Sequence, residues 1–160
     1  MRSNILVLLL FLIYLSALSQ SSSKYSNEFL NIGVDARSVG MANAVVSSTN
    51  DVNSTYWNPA GLLNIERDEI SLMHSNYFAN IANYNYISYA MNVDDESAIG
   101  FSLIRFGVDD IMDTTQLIDN QGNIDFNRIE LFSAADYAFL FSYAKKNNFL
   151  NLNYGLNVKI

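Results

Sequence analysis

The sequence predicts an all-β chain, the first strands of an antiparallel transmembrane β-barrel preceded by a small plug-like segment. Three observations carry this expectation. The N-terminus has the layout of an export signal, and the second half alternates large apolar residues with small or polar ones. The connections between the alternating runs are short, then long, then short.

Arg2 supplies a basic start, Ile5 to Leu15 carries no charge, and Ala17-Leu18-Ser19 offers small residues for signal peptidase. This predicts a signal peptide over residues 1–19, cleaved before Gln20. The apolar run is ~11 residues, whereas a membrane-spanning helix needs ~20. No Cys follows it, which excludes a lipoprotein anchor. The chain is 50% hydrophobic, with ten Tyr and ten Phe, yet no later run could span a bilayer as a helix. An exported chain of this composition must hide its apolar side chains in a soluble core or present them to lipid.

Residues 20–66 have no sustained period of two or of 3.6. Gly33, Gly40 and Gly61 punctuate a run of small residues, and Asp51 to Tyr56 is a candidate short helix with Asp51 as N-cap. Pro59 ends it, with Asn58 pushed toward extended geometry. Residues 67–160 read as strands. Leu150, Leu152, Tyr154, Leu156, Val158 and Ile160 alternate with Asn151, Asn153, Gly155, Asn157 and Lys159, a period of two. Tyr137, Phe139, Phe141 and Tyr143 share one face; Asp136, Ala138 and Ser142 share the other, with Leu140 the exception. Ile87, Tyr89, Met91 and Val93 alternate with Ser88, Ala90 and Asn92. Ile99, Phe101 and Leu103 alternate with Ala98, Gly100 and Ser102. Glu69 to Phe78 is a less regular strand whose inward face the pattern does not fix.

Turns are expected at Asp94–Glu96 and Lys145–Asn148, with a long loop over Asp109 to Leu131. Short periplasmic turns opposite longer extracellular loops are the layout of outer-membrane barrels. Tyr77, Phe78, Tyr84 and Tyr86 around the first hairpin, and Tyr143 and Phe149 around the basic turn, read as interfacial aromatics. An inward set of Asn, Ser, Gly and Ala favours a barrel over a soluble sandwich. About five strands are visible, and a barrel of ~8 or more is needed to close, so further strands are expected to follow.

Chemistry is sparse. The formal net charge is -7, which argues against nucleic acid as a partner. With no Cys and a single His, His74, and with no Gly-x-Ser-x-Gly elbow, no catalytic set emerges, and neither a cofactor nor a metal is expected. Asp109, Asp110, Asp113 and the run Asp119 to Asp125 lack full Ca²⁺-loop spacing and read as a solvated loop. The Asn53-Ser54-Thr55 sequon carries no weight if the chain is an outer-membrane barrel.

The segment from Phe29 to Ala44, with Gly33, Ala36, Arg37 and Gly40, resembles the start of PorV/PorQ-family proteins, which sit among the FadL-like outer-membrane barrels. Trp57-Asn58-Pro59-Ala60-Gly61-Leu62 is similar to the Asn-Pro-Ala-Gly motif that follows in that family. Asp136, Ser142 to Lys145, and Gly155 to Lys159 are similar to its middle region. Asn43 departs from the pattern, standing where Gly is expected. The resemblance implies a barrel of about fourteen strands, within the usual outer-membrane range, with the N-terminal segment folded into the lumen. It also implies a non-enzymatic role in type IX protein secretion and surface attachment, with outer-membrane lipid, secreted cargo and other secretion components as partners. Independently of the family, Pro59 fixes its backbone, Asn58 can cap neighbouring amides and Gly61 is free of Cβ constraints, which predicts a rigid corner. Two other functions remain open: a FadL-like channel for hydrophobic small molecules, and a soluble secreted β-sandwich adhesin.

Overall fold

The computed structural model describes residues 27–118 and 121–160. The expected signal peptide and Asp119 lie outside these residues. Five strands form one antiparallel meander in the order β1 (Glu69–Tyr77), β2 (Ala82–Asp94), β3 (Ser97–Asp113), β4 (Glu130–Asn147) and β5 (Leu152–Lys159). They are preceded by a 3-10 turn (Glu28–Asn31), helix α1 (Ala36–Gly40), helix α2 (Ser54–Trp57) and a second 3-10 turn (Pro59–Asn64). No helix among the described residues is long and apolar enough to cross a membrane. β2, β3 and β4 run for 13, 17 and 18 residues, well beyond the ~5–6 usual in soluble sheets.

The sheet carries large apolar residues on the face against which no other described part of the chain packs. Tyr89 pairs with Phe101, Phe101 with Phe141, and Phe141 with Val158, all on this outer face. The opposite face holds Ser88, Ala90, Ala98, Ser102, Ala138, Ser142 and Ala144, all buried, and residues 27–66 pack against it. The predicted alternation of β2, β3 and β4 therefore matches the observed inward and outward sets.

Three expectations need correction. Tyr84 and Tyr86 are not interfacial: they point inward and are 0% and 2% exposed. The inner face is graded, small toward the Asp95-Glu96 turn and large toward the other end, where Tyr84, Tyr86, Ile104 and Leu140 cluster with Phe29, Val34 and Tyr56. Leu140, the exception in the strand pattern, belongs to that cluster. Second, the last hairpin turns at residues 148–151, not 145–148. Ser97 pairs with Lys145, and the Lys146 amide donates to Glu96 O, so both lysines stay in strand. Asn147 Oδ1 then accepts from the Phe149 and Leu150 amides, and Asn151 adopts φ 47°. Leu150 thus lies in the turn, ahead of β5. Third, β3 continues past Asp109 to Asp113 through a bulge between Val108 and Ile111, where Asp110 takes φ 58°, and the long loop shrinks to residues 114–129.

In β1 the inward set is Glu69, Ser71, Met73, Ser75 and Tyr77, each less exposed than its neighbours. His74 faces outward, beside Asn85.

Candidate functional site

The inner face is organised around Thr55, the second residue of α2. The helix begins three residues later than the sequence suggests. Asp51 Oδ1 accepts from the Asn53 amide, forming a turn, and Ser54 rather than Asp51 opens the helix. This places Thr55 Oγ1 at 2.5 Å from Ser102 Oγ and 3.2 Å from Tyr86 Oη, while it donates to Val52 O at 2.9 Å. Ser142 Oγ and Asn157 Nδ2 both donate to Thr55 O, at 3.1 and 2.6 Å. One residue thereby ties the helical segment to β2, β3, β4 and β5. The hydroxyls of Ser88, Ser102 and Ser142 are buried polar groups that need such partners.

Small residues on the strands allow the close approach. A Cβ at position 100 would stand 2.3 Å from Thr55 Cγ2, and one at 155 would stand 2.5 Å from the Ala60 amide nitrogen. Glu69 Oε2 accepts from the Val52 amide, and Met73 Sδ lies 3.1 Å from the Asp35 amide, which joins β1 to the same segment. Lys159 Nζ sits 5.3 Å from the centre of the Tyr56 ring, within cation–π range.

The two sequence motifs meet in space. Trp57 Nε1 donates to Val34 O, Asn58 Nδ2 donates to Val46 O, and Tyr56 Oη donates to Leu30 O. Burial pushes the Tyr56 hydroxyl above its ordinary pKa, which keeps it a donor. Asn58 is extended (φ -157°) and its side chain accepts from the Ala60 amide, with Pro59 opening the following turn. Gly61 lies against Thr49 O and Ser54, where a Cβ would come within 2.5 Å of both. In the first motif, Gly33 takes φ 93° with the Asn43 side chain packed against it, and Asn43 Nδ2 donates to Ile32 O. Asn43 itself adopts φ 62°, a left-handed conformation that Asn tolerates as Gly does, so the departure from the family pattern fits the backbone. Ala36, Arg37 and Gly40 lie in α1, with Arg37 and Gly40 exposed.

Sequence reasoning missed Thr55. Its only signal was a set of hydroxyl residues at inward positions of three adjacent strands. Thr55→Val, nearly isosteric, is expected to strand the partner hydroxyls and lower unfolding stability by about 1–3 kcal/mol, whereas Thr55→Ser retains most of it. Urea unfolding in detergent micelles checks this.

His74 Nδ1 lies 2.7 Å from Asn85 Oδ1, and among the described residues no carboxylate or serine completes a catalytic set with it. Asp113 at the end of β3 and Asp125 in the following loop accept from the Thr115 and Asn127 amides, while Asp109 within β3 pairs with Arg105. Among the described residues no acidic group gathers as a metal site.

The fold defines an all-β protein, an antiparallel meander with a helical segment on its inner face and bulky apolar residues on its outer face. The family model of the type IX secretion system protein PorV matches residues 18–156. The chain belongs to that family, and is associated with type IX secretion. Comparison with curated proteins and with solved structures gave no match.

Proposed function

We propose that this chain is part of a non-enzymatic outer-membrane β-barrel, exported by its signal peptide, that handles protein cargo in type IX secretion. In this reading it receives secreted proteins from the translocon and passes them to the surface-attachment machinery. The observation that carries it is the inverted polarity of the sheet, taken with membership of the PorV family. A sheet in water buries its large side chains, yet here Phe139, Phe141, Tyr143, Leu156 and Val158 face out, each 40% or more exposed. Lipid is the solvent that accepts such a face, provided the strands close into a barrel. Residues 27–66 then fill the lumen, and the Gly33, Ala36, Arg37, Gly40 and Trp57-Asn58-Pro59-Ala60-Gly61 motifs serve as its rigid frame rather than as a ligand site.

Deletion of the gene is expected to leave cargo proteins in the periplasm or unattached at the surface, read by fractionation and surface proteolysis. Normal cargo display in the deletion strain rules this role out. Normal display combined with lost uptake of hydrophobic compounds points instead to a FadL-like channel. Recovery of the full protein from the aqueous phase without detergent supports a soluble adhesin.

A further inference from the structure

The outer face is apolar along most of its height and turns polar toward the longer loop, where the first polar row crosses four strands and the Asn76–Asn83 pair follows it. His74 on β1 is the register partner of Asn85 on β2, Asn85 of Arg105 on β3, and Arg105 of Tyr137 on β4. All four side chains face outward. Arg105 Nη2 donates to Asp109 Oδ1 at 2.8 Å and its Nε donates to Tyr137 Oη at 3.3 Å. These two contacts orient the guanidinium and leave Nη1 without a partner among the described residues. The group lies flat on the strand because position 107 is glycine. A Cβ there would stand 3.0 Å from the guanidinium carbon and both terminal nitrogens.

Next to this row is a groove of about 570 Å³, lined by Leu72, Ile87 and Leu103 as well as by His74, Arg105 and Tyr137. The site has an apolar floor with the Arg105–Asp109 ion pair at one end, and the Nη1 edge of Arg105 is the donor it offers to an anionic head. Its depth agrees. Arg105 lies eight residues along β3 from Ser97, which follows the Asp95-Glu96 turn. At ~3.4 Å per residue that is roughly 27 Å along the strand. With a tilt near 40° it is roughly 20 Å along the membrane normal, close to the outer edge of a ~25 Å apolar band. The row is on the side of the longer loop, the extracellular side of an outer-membrane barrel.

We infer that the His74–Asn85–Arg105–Tyr137 row binds the phosphorylated headgroup of an outer-leaflet lipid, with an acyl chain along Leu72, Ile87 and Leu103. Asp109 makes the recognition selective. It neutralises one edge of Arg105, so only a ligand that also reaches Nη1 and the hydroxyl of Tyr137 gains over water. Arg suits this role because its fork of donors matches phosphate geometry.

This inference rests on the outer-membrane barrel reading, and the test separates the two. The full-length protein is reconstituted in vesicles containing lipid A, either phosphorylated or enzymatically dephosphorylated, and lipid retained through detergent exchange is measured by native mass spectrometry. Heat-modifiable migration reports barrel assembly in the same samples. The wild type is expected to retain phosphorylated lipid A roughly tenfold better than the dephosphorylated form, as loss of one charge-assisted contact would give. The double variant Arg105→Gln/Asp109→Asn, which leaves no unpaired charge, is expected to lose that preference while staying heat-modifiable. Gly107→Ala, which crowds the guanidinium, is expected to weaken it. Equal retention of both lipids, or a preference unchanged in the double variant, overturns the inference. A second protein retained in place of lipid, dependent on Arg105, overturns it in favour of a protein contact. Absence of heat-modifiable migration in the wild type overturns the barrel reading itself.

Discussion

Phe141→Arg is expected to prevent stable insertion of the protein into membranes. Phe141 lies in the middle of the outer apolar face, opposite Phe101 and Val158 in the strand register, with the Phe101 ring centre 5.2 Å away. The rows on either side, Leu103 with Phe139 and Ile99 with Tyr143, are apolar as well. A charge at that depth costs about 2–4 kcal/mol, while the same charge near an interface costs about 0–1. Tyr154→Arg, on the same outer face but beside Lys145 near the end of the sheet, is the matching control and is expected to assemble normally. Heat-modifiable migration after refolding into vesicles reads both variants. Equal assembly of the two variants would falsify the lipid-facing assignment, because a solvated sheet face has no reason to distinguish position 141 from 154.

Gly155→Val should release the helical segment from the sheet. A Cβ at this site would fall 2.5 Å from the Ala60 nitrogen and 2.7 Å from Pro59 Cβ. The Pro59 ring has no rotamer that moves it away. Overpacking of this kind costs about 1–3 kcal/mol even where neighbours can shift, and here the obstacle is backbone. Limited proteolysis of the detergent-solubilised protein is the readout. The wild type is expected to resist cleavage within residues 27–66, Gly155→Ala to be cleaved slowly and Gly155→Val rapidly. Gly100→Val is expected to be milder, because its nearest obstacle is the Thr55 side chain rather than backbone, and turning it aside costs only the hydrogen bonds of Thr55 Oγ1.

The strands were legible in the sequence wherever one face is large and the other small. Phe139, Phe141 and Tyr143 against Ala138, Ser142 and Ala144 leave one possible orientation. In β1 both faces are mixed, since Ile70 and Leu72 share the outer face with His74 and Asn76, and only contacts to Val52 and Asp35 decide the matter. Tyr84 and Tyr86 misled because an aromatic near a hairpin suits either a headgroup layer or a core. Their fate is set by the register with Phe106 and Ile104, a long-range pairing that local pattern does not carry. The last turn was misplaced because two lysines look like a turn but tolerate a strand end, and Asn151 supplies the left-handed residue that the hairpin needs. The motif residues Asn58 and Pro59 were readable as a corner from backbone chemistry alone. Their spatial junction with the Gly33 motif was not, since 25 residues and no periodic signal separate them.

The hydrogen bonds that converge on Thr55 also impose an order of events. Ser142 and Asn157, which donate to its carbonyl, lie 87 and 102 residues further along the chain. Contacts of such separation form late and slowly. On the proposed reading, a chain exported N-terminus first exposes the helical segment before the strands that satisfy it exist, and the strands themselves offer water an apolar face. In that reading the segment is a template awaiting its cover, and the chain needs an escort until the sheet has closed around it in the membrane. Damage to the template should leave export intact and surface only at the final insertion step, as protein held by periplasmic chaperones and degraded there.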